Sequence, residues 1–293
     1  MNQPFFSITI PVYNGQDFLE KAINSVRNQT CQDWELIIID DASTDRSYNI
    51  ALELSVNDSR ITVKKNTHNL KQSGNLNRCI QEASGEWLLF LPADDFYHPE
   101  LLEKAKLIID RSQELQLIIY NHACFGEEIP RHEVLAKWNG EGFYQLSELA
   151  ACFWLRGNLF GELSSFLIKR APVIQGAVQF KQFCQTLDQR FWMDFCLKYP
   201  SGKFYFMEDI GADVLLHASS DTSRINATGA HFVDFFEFID QYAFQGWSAA
   251  QRLKQTLRLL VCRWKFRNVM PYGAKKSFAN ALKKVVMGFF YKR

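Results

Sequence analysis

Short apolar runs and helical stripes alternate along the first 120 residues. Ser7–Val12, Glu35–Ile39 and Trp87–Leu91 have few or no polar breaks, which predicts strands buried on both faces. Ile61–Val63 and Leu117–Tyr120 predict two more. Between them, Asp17–Asn28 carries apolar residues at 18, 19, 22, 23 and 26, a stripe of helical period. Further helices are predicted from about Asp45 to Leu54, capped by Ser43 or Thr44, and over Ser73–Ala83, closed by Ser84-Gly85. Another covers Glu100–Arg111, opened by His98-Pro99-Glu100. This alternation predicts an α/β fold, a mostly parallel sheet with helices on both faces. From Asn121 to Phe183 the pattern breaks. Ser165–Lys169 then predicts a strand, Asp188–Leu197 a helix, and Lys203–Met207 and Val214–His217 short strands.

The end of the chain is different. Leu253, Leu257, Leu260, Val261 and Trp264 share one helical face, and Phe278, Leu282, Val285, Val286 and Phe289 another, with Lys and Arg between them. Residues 241–293 hold 12 Lys or Arg and no acidic residue, which leaves 21 basic against 32 acidic in residues 1–240. The net charge of +1 therefore conceals an acidic body and a basic tail. Such a tail suits an anionic membrane surface or the acidic body itself. No recognised nucleic-acid module accompanies the charge. Seven cysteines at 31, 79, 124, 152, 184, 196 and 262 form no Cys-x-x-Cys pair, which points to reduced thiols in a cytosol-like compartment. A strand within a few residues of the start leaves no room for a signal peptide, and no apolar run is long enough to span a bilayer.

The chemistry gathers at strand ends. Asp94-Asp95 follows the strand Trp87–Leu91, and Asp40-Asp41 follows Glu35–Ile39, where open α/β sheets bind ligands. Paired like charges repel unless a cation or strong donors hold them, so Asp94-Asp95 suggests a divalent metal with an anion beyond it. Both pairs also suit turn and cap chemistry. Tyr13, past the first strand, can stack on a base or simply pack. Neither Gly-x-Gly-x-x-Gly nor Gly-x-x-x-x-Gly-Lys-Ser/Thr is present. Phosphate would have to be met by a metal and Lys71.

Taken together, Pro11-Val12-Tyr13-Asn14, Asp40-Asp41-Ala42-Ser43-Thr44-Asp45, Asn77 ahead of Ala83-Ser84-Gly85-Glu86, and Asp94-Asp95 resemble family 2 glycosyltransferases of the GT-A fold. The likeness is specific over about 5–100 and looser through Gly161-Glu162-Leu163-Ser164, Asp188–Trp192 and His217–Ser223. It implies a Rossmann-like three-layer α/β/α sandwich over residues 1–225, with a nucleotide-binding half (about 1–120), an acceptor-side half (about 121–225) and a basic helical extension (226–293). By resemblance, Pro11, Val12, Tyr13 and Asp41 hold the base of a nucleotide-sugar donor, Lys71 supplies a basic contact, and Asp94 lies near ribose or sugar. Asp95 ligates Mg²⁺ or Mn²⁺, and Asp188 is the general base of a single inverting displacement onto a glycan or lipid-linked acceptor. Asp40, Ser43, Glu162, Ser164 and His217 are further candidates. Pro92 stands where many relatives carry the first of three acidic residues, Leu163 where Pro is common, and Leu215 where Arg often precedes the His. A sugar nucleotidyltransferase and a catalytically degenerate sugar-binding protein remain as alternatives.

Overall fold

A computed structural model describes residues 3–127, 129–135, 138, 140–150, 162–181 and 187–217. The basic tail, with the amphipathic stripes expected beyond residue 240, lies outside the described residues.

The first half follows the expected alternation. It runs β1 (Phe6–Val12), α1 (Leu19–Arg27), β2 (Trp34–Asp40), α2 (Ser47–Ser55), β3 (Ile61–Lys65), α3 (Lys71–Glu82), β4 (Trp87–Phe90), β5 (Phe96–Tyr97), α4 (Leu101–Ile109) and β6 (Leu115–Gly126). Then come β7 (His132–Val134), β8 (Gly142–Gln145), a 3-10 turn at Leu163–Ser165, β9 (Phe166–Lys169), two helices at Arg170–Gln175 and Leu187–Lys198, and β10 (Lys203–Leu216). All join one sheet, in the order β3-β2-β1-β4-β9-β6-β10-β5, with β7 on β6 and β8 on β10. β3, β2, β1 and β4 are mutually parallel, and β10 is parallel to β6. β9 runs antiparallel between β4 and β6.

The sheet is buried on both faces because its strands are apolar at consecutive positions. Ile37 and Ile39 of β2 and Leu88 and Phe90 of β4 point to a core closed by Leu76 and Ile80 of α3 and by Phe191 and Phe195 of the helix Leu187–Lys198. Leu36 and Ile38, with Trp87 and Leu89, point the other way, onto Ile23 and Val26 of α1 and Leu102 and Ala105 of α4. This is the three-layer sandwich expected from the sequence.

Some details differ. Neither Ser43 nor Thr44 caps α2, which begins at Ser47, because both are drawn to the facing turn after β1. The N-cap is Arg46, without a side-chain cap bond, and Asp45 just before it accepts from Ser47 N on Oδ1 at 2.9 Å. Lys203–Met207 and Val214–His217 are not two strands but parts of one, β10. Its register against β6 shifts between Met207 and Ala212, so exposed Glu208 and Asp209 bulge outward in a strand that continues through them. Gly211 in this bulge lies against the Tyr120 ring, and a Cβ there would come within 2.3 Å of it. Two-residue β5, pairing antiparallel with Ala212 and Asp213, is too short to leave a periodic signal.

Candidate active site

The turns after β1 and β2 are laced together. Asn14 N donates to Ser43 Oγ at 2.9 Å, Thr44 N to Asn14 Oδ1 at 2.9 Å, Gly15 N to Ser47 Oγ at 2.9 Å, and Gln16 N to Asp45 Oδ2 at 3.1 Å. Asn14 and Ala42 adopt left-handed backbone angles, φ 53° and 59°, at the two corners. The lacing fixes the two strand ends as one rim. Pro11 and Val12 form its base, Val12 buried, while Tyr13 is 51% exposed above it.

Asp40 and Asp41 face different surroundings. Asp40 is fully buried; its Oδ2 accepts from Ser43 N at 3.0 Å and lies 3.5 Å from Lys65 Nζ. It braces the turn from within. Asp41 accepts from Asn66 Nδ2 at 2.6 Å and from Leu70 N at 2.8 Å, both on Oδ1. Among the described residues its side-chain hydrogen bonds all fall on that oxygen, which leaves Oδ2 for a ligand donor. Asn66 Nδ2 also donates to Asn75 Oδ1 at 3.1 Å, and Asn75 Nδ2 to the Ile39 carbonyl at 3.0 Å. Arg78 donates to Asn66 Oδ1 and so fixes which end of that amide meets Asp41. Lys71 opens α3 exposed and at φ 66°, its N donating to Asn69 Oδ1 at 2.8 Å.

The second acidic turn follows β4, next to β1 in the sheet. Asp95 is 3% exposed, its Oδ2 accepting from Ser164 Oγ at 2.7 Å and its Oδ1 from Leu215 N at 3.2 Å. Burial, with the charges of Asp94 and Glu162, holds its carboxyl well above the usual carboxylate range, against the pull of Ser164. Glu162 is raised too, by desolvation and by Asp94. Glu162 is exposed. Asp94 Oδ2 meets His217 Nε2 at 2.9 Å, and the His217 ring lies 4.8 Å from Phe18, just before α1. Asp94, Asp95, Glu162, Ser164 and His217 are thus brought together from three parts of the chain. Among the described residues, no group of three or more His, Cys, Asp or Glu side chains could hold a metal ion by itself.

Behind Asp95, Tyr120 OH donates to the Ser164 carbonyl at 2.7 Å, and Tyr97 OH to the Phe90 carbonyl at 2.9 Å. These bonds pin the 3-10 turn and the end of β4 together.

Asp188 lies in the first turn of the helix Leu187–Lys198, half-buried. Residues three and four positions along a helix share a face, so Asp188 neighbours Phe191 and Trp192. Trp192 packs 4.0 Å from Phe166 and Phe191 lies 6.4 Å from Phe90, ring centre to ring centre. Phe90 ends β4, and Phe166 begins antiparallel β9 beside it. The start of this helix is therefore anchored at the carboxyl end of β4, the same end from which Asp94 and Asp95 project.

Sequence reasoning missed the supporting side chains Asn66, Asn75, Ser47 and Phe18. Only Asn75, polar on the inward face of a helix, left a signal. Its partners are 9 and 36 residues away.

Residues 7–165, more than half of the chain, match the family model for glycosyl transferase family 2, and the chain belongs to that family. An uncharacterized glycosyltransferase of Haemophilus influenzae is 35% identical over 122 residues, covering 42% of this chain and 45% of the relative. A GalNAc(5)-diNAcBac-PP-undecaprenol beta-1,3-glucosyltransferase of Campylobacter jejuni is 32% identical over 169 residues, covering 57% of this chain and 52% of the relative. The chain spans about half the length of the curated relatives it matches. Among solved structures, S. aureus TarS 1-349 in complex with UDP-GlcNAc shares the fold, with a TM-score of 0.72 and 18% identity over 97% of this chain and 81% of that one.

Proposed function

We propose that the chain transfers a sugar from a nucleoside diphosphate, with uridine as the base, to an acceptor hydroxyl with inversion. One observation carries this reading. Asp41 after β2, Asp94 and Asp95 after β4, and the start of the Asp188 helix all stand at one end of the sheet, Asp41 with an oxygen left for a ligand. The UDP-GlcNAc bound to the TarS fold and the activity named for the Campylobacter jejuni relative support the donor class and the reaction.

Asp41 is an acceptor-only group and suits the imide N–H of uracil. Tyr13 offers an exposed ring beside it for stacking. Asp94 and Asp95 would hold a divalent cation, Mg²⁺ or Mn²⁺. The donor set fits, because three crowded carboxylates are relieved by a cation, and a diphosphate-bound Mg²⁺ takes only one or two protein carboxylates. When bound, the cation offsets the charge growing on the departing diphosphate. Asp188 removes the proton of the acceptor hydroxyl as that oxygen attacks the anomeric carbon, and the bond from that carbon to the diphosphate oxygen breaks on the opposite face. Ser164 Oγ and Leu215 N each hold one oxygen of Asp95 and so fix the orientation of its carboxyl.

The acceptor is a glycan or lipid-linked saccharide of a surface polysaccharide or glycolipid. The undecaprenol-linked substrate in the name of the Campylobacter jejuni relative supports this. No helix among the described residues is long and apolar enough to cross a membrane. The basic residues of 241–293 would bring the enzyme to the anionic cytoplasmic face of a membrane. Sedimentation with anionic vesicles at low salt checks this, and no binding sinks it. A sugar nucleotidyltransferase is disfavoured by family membership.

The deciding experiment measures UDP, GDP or dTDP release from a panel of nucleotide sugars, with octyl glycosides as acceptors, for wild type and Asp188→Asn. The reading expects UDP-sugar turnover in wild type, and in the variant retained UDP binding with lost transfer. Unchanged transfer removes Asp188 from the mechanism.

A further inference from the structure

Asn77 makes a contact that the reading above does not use. It projects half-buried from the middle of α3, and both ends of its amide grip the backbone of one residue 103 positions away. Nδ2 donates to the Phe180 carbonyl at 2.8 Å, and Oδ1 accepts from Phe180 N at 2.8 Å. A side-chain amide engaged this way copies one rung of a strand ladder and satisfies both backbone groups of a residue only 3% exposed. The held residue is itself a packing hub. The Phe180 ring stacks on Phe191 at 4.3 Å and 10°, and meets Phe90 edge-on at 5.3 Å.

From this geometry we infer that Asn77 is a positioning residue, setting the place of the Asp188 helix relative to the donor-binding turns. The inference rests on Asp188 being the base, as proposed above. α3 connects the two sides. At its start Leu70 N binds Asp41, in its first turns Asn75 binds Asn66, which binds Asp41, and half a turn on Asn77 holds Phe180. Phe180 presses on Phe191, and Asp188 stands three residues before Phe191 on the same helical face. A displacement of Phe180 therefore reaches the helix whose carboxylate takes the acceptor proton, while Asp41 keeps its own bonds to Asn66 and Leu70 N. A misplacement of about 1 Å at a reacting group can lower turnover by roughly 100-fold.

The test compares Asn77→Ala and the milder Asn77→Asp, which keeps the acceptor for Phe180 N and loses the donor. Three quantities are read: UDP affinity by calorimetry, transfer from the active UDP-sugar to octyl glycosides, and hydrogen exchange over residues 187–198. The expected result is UDP affinity within about twofold of wild type, transfer reduced tenfold or more by Asn77→Ala and less by Asn77→Asp, and faster exchange over 187–198. Wild-type transfer or wild-type exchange in Asn77→Ala overturns the inference. So does parallel loss of UDP affinity and transfer, which assigns Asn77 to general stability. If wild type turns over no donor, the functional reading fails, and the exchange and UDP data still decide whether Asn77 holds the helix.

Discussion

Asp94 Oδ2 and His217 Nε2 stand 2.9 Å apart, although 123 residues separate them in the chain. The contact closes the acidic turn after β4 with the residue that follows β10. It gives Asp94 a donor that Asp95, held by Ser164 and Leu215, does not share. His217→Ala removes that donor and is expected to lower kcat/KM for the UDP-sugar by about 10- to 100-fold, as loss of a partner that orients a metal or phosphate ligand does. His217→Gln, whose amide can still donate to Asp94, is expected to recover part of it. A UDP-release assay distinguishes the two, and equal activity in all three proteins counts against a role for His217.

Burial beside Asp94 and Glu162 makes a charged Asp95 costly to stability. Its carboxyl is raised above the ordinary value, so between the unfolded pKa of about 3.9 and the folded one, the native state binds more protons than the unfolded state. The ligand-free protein therefore loses stability as pH rises through the folded pKa. Asp95→Asn removes the charge and can still meet Ser164 Oγ and Leu215 N. Its Tm without ligand is expected to exceed that of wild type by about 2–4 °C for each kcal/mol relieved, a gain that grows with pH above about 4 and disappears towards acid. Activity is expected to be lost. Thermal scans from pH 4 to 8 check the sign, and a gain that shrinks with rising pH refutes it.

Gly211 lies where a Cβ would strike the Tyr120 ring, and Tyr120 OH holds the Ser164 carbonyl. Gly211→Ala must displace the ring or the bulge in β10. It is expected to destabilise by about 1–3 kcal/mol, the usual range for an overpacked site, and to weaken the Ser164–Asp95 contact. Denaturant unfolding measures the first effect. No loss of stability would mean the bulge yields freely.

Asn66 carries Asp41 on one side and Asn75 on the other. Asn66→Leu takes one of two donors from Asp41 and leaves buried Asn75 Oδ1 without its donor, and a loss of about 1–3 kcal/mol is expected for that orphaned group. UDP binding is expected to fall with it, because Asp41 is then held by Leu70 N alone. A calorimetric titration of the folded variant that matches wild type would detach Asn66 from the site.

Much of this architecture was legible in the chain. The apolar runs at 7–12, 35–39 and 87–91 locate three of the four parallel strands, since a strand covered on both faces must be apolar at successive positions. The acidic pairs at two strand ends point to the candidate site, because the carboxyl edge of such a sheet is where ligands bind. What stayed hidden depends on distant partners. Asp40 and Asp41 look alike on paper, yet one is braced by Lys65 and the other by Asn66, 25 residues on. Ser43 and Thr44 read as caps because their facing partner, Asn14, lies 29 and 30 residues upstream. β10 read as two strands because Glu208 and Asp209 resemble a turn, and only pairing with β6 carries the strand across them.

The most direct measurement is a calorimetric titration of UDP into wild type, Asp41→Asn and Asp94→Ala, each with and without Mn²⁺. Saturable binding that strengthens with Mn²⁺ in wild type is expected, weakened about tenfold or more in Asp41→Asn and no longer Mn²⁺-dependent in Asp94→Ala, as the loss of a base contact and a ligand would give. Equal affinity in all three proteins, indifferent to Mn²⁺, would contradict the convergence of these carboxylates on one nucleotide.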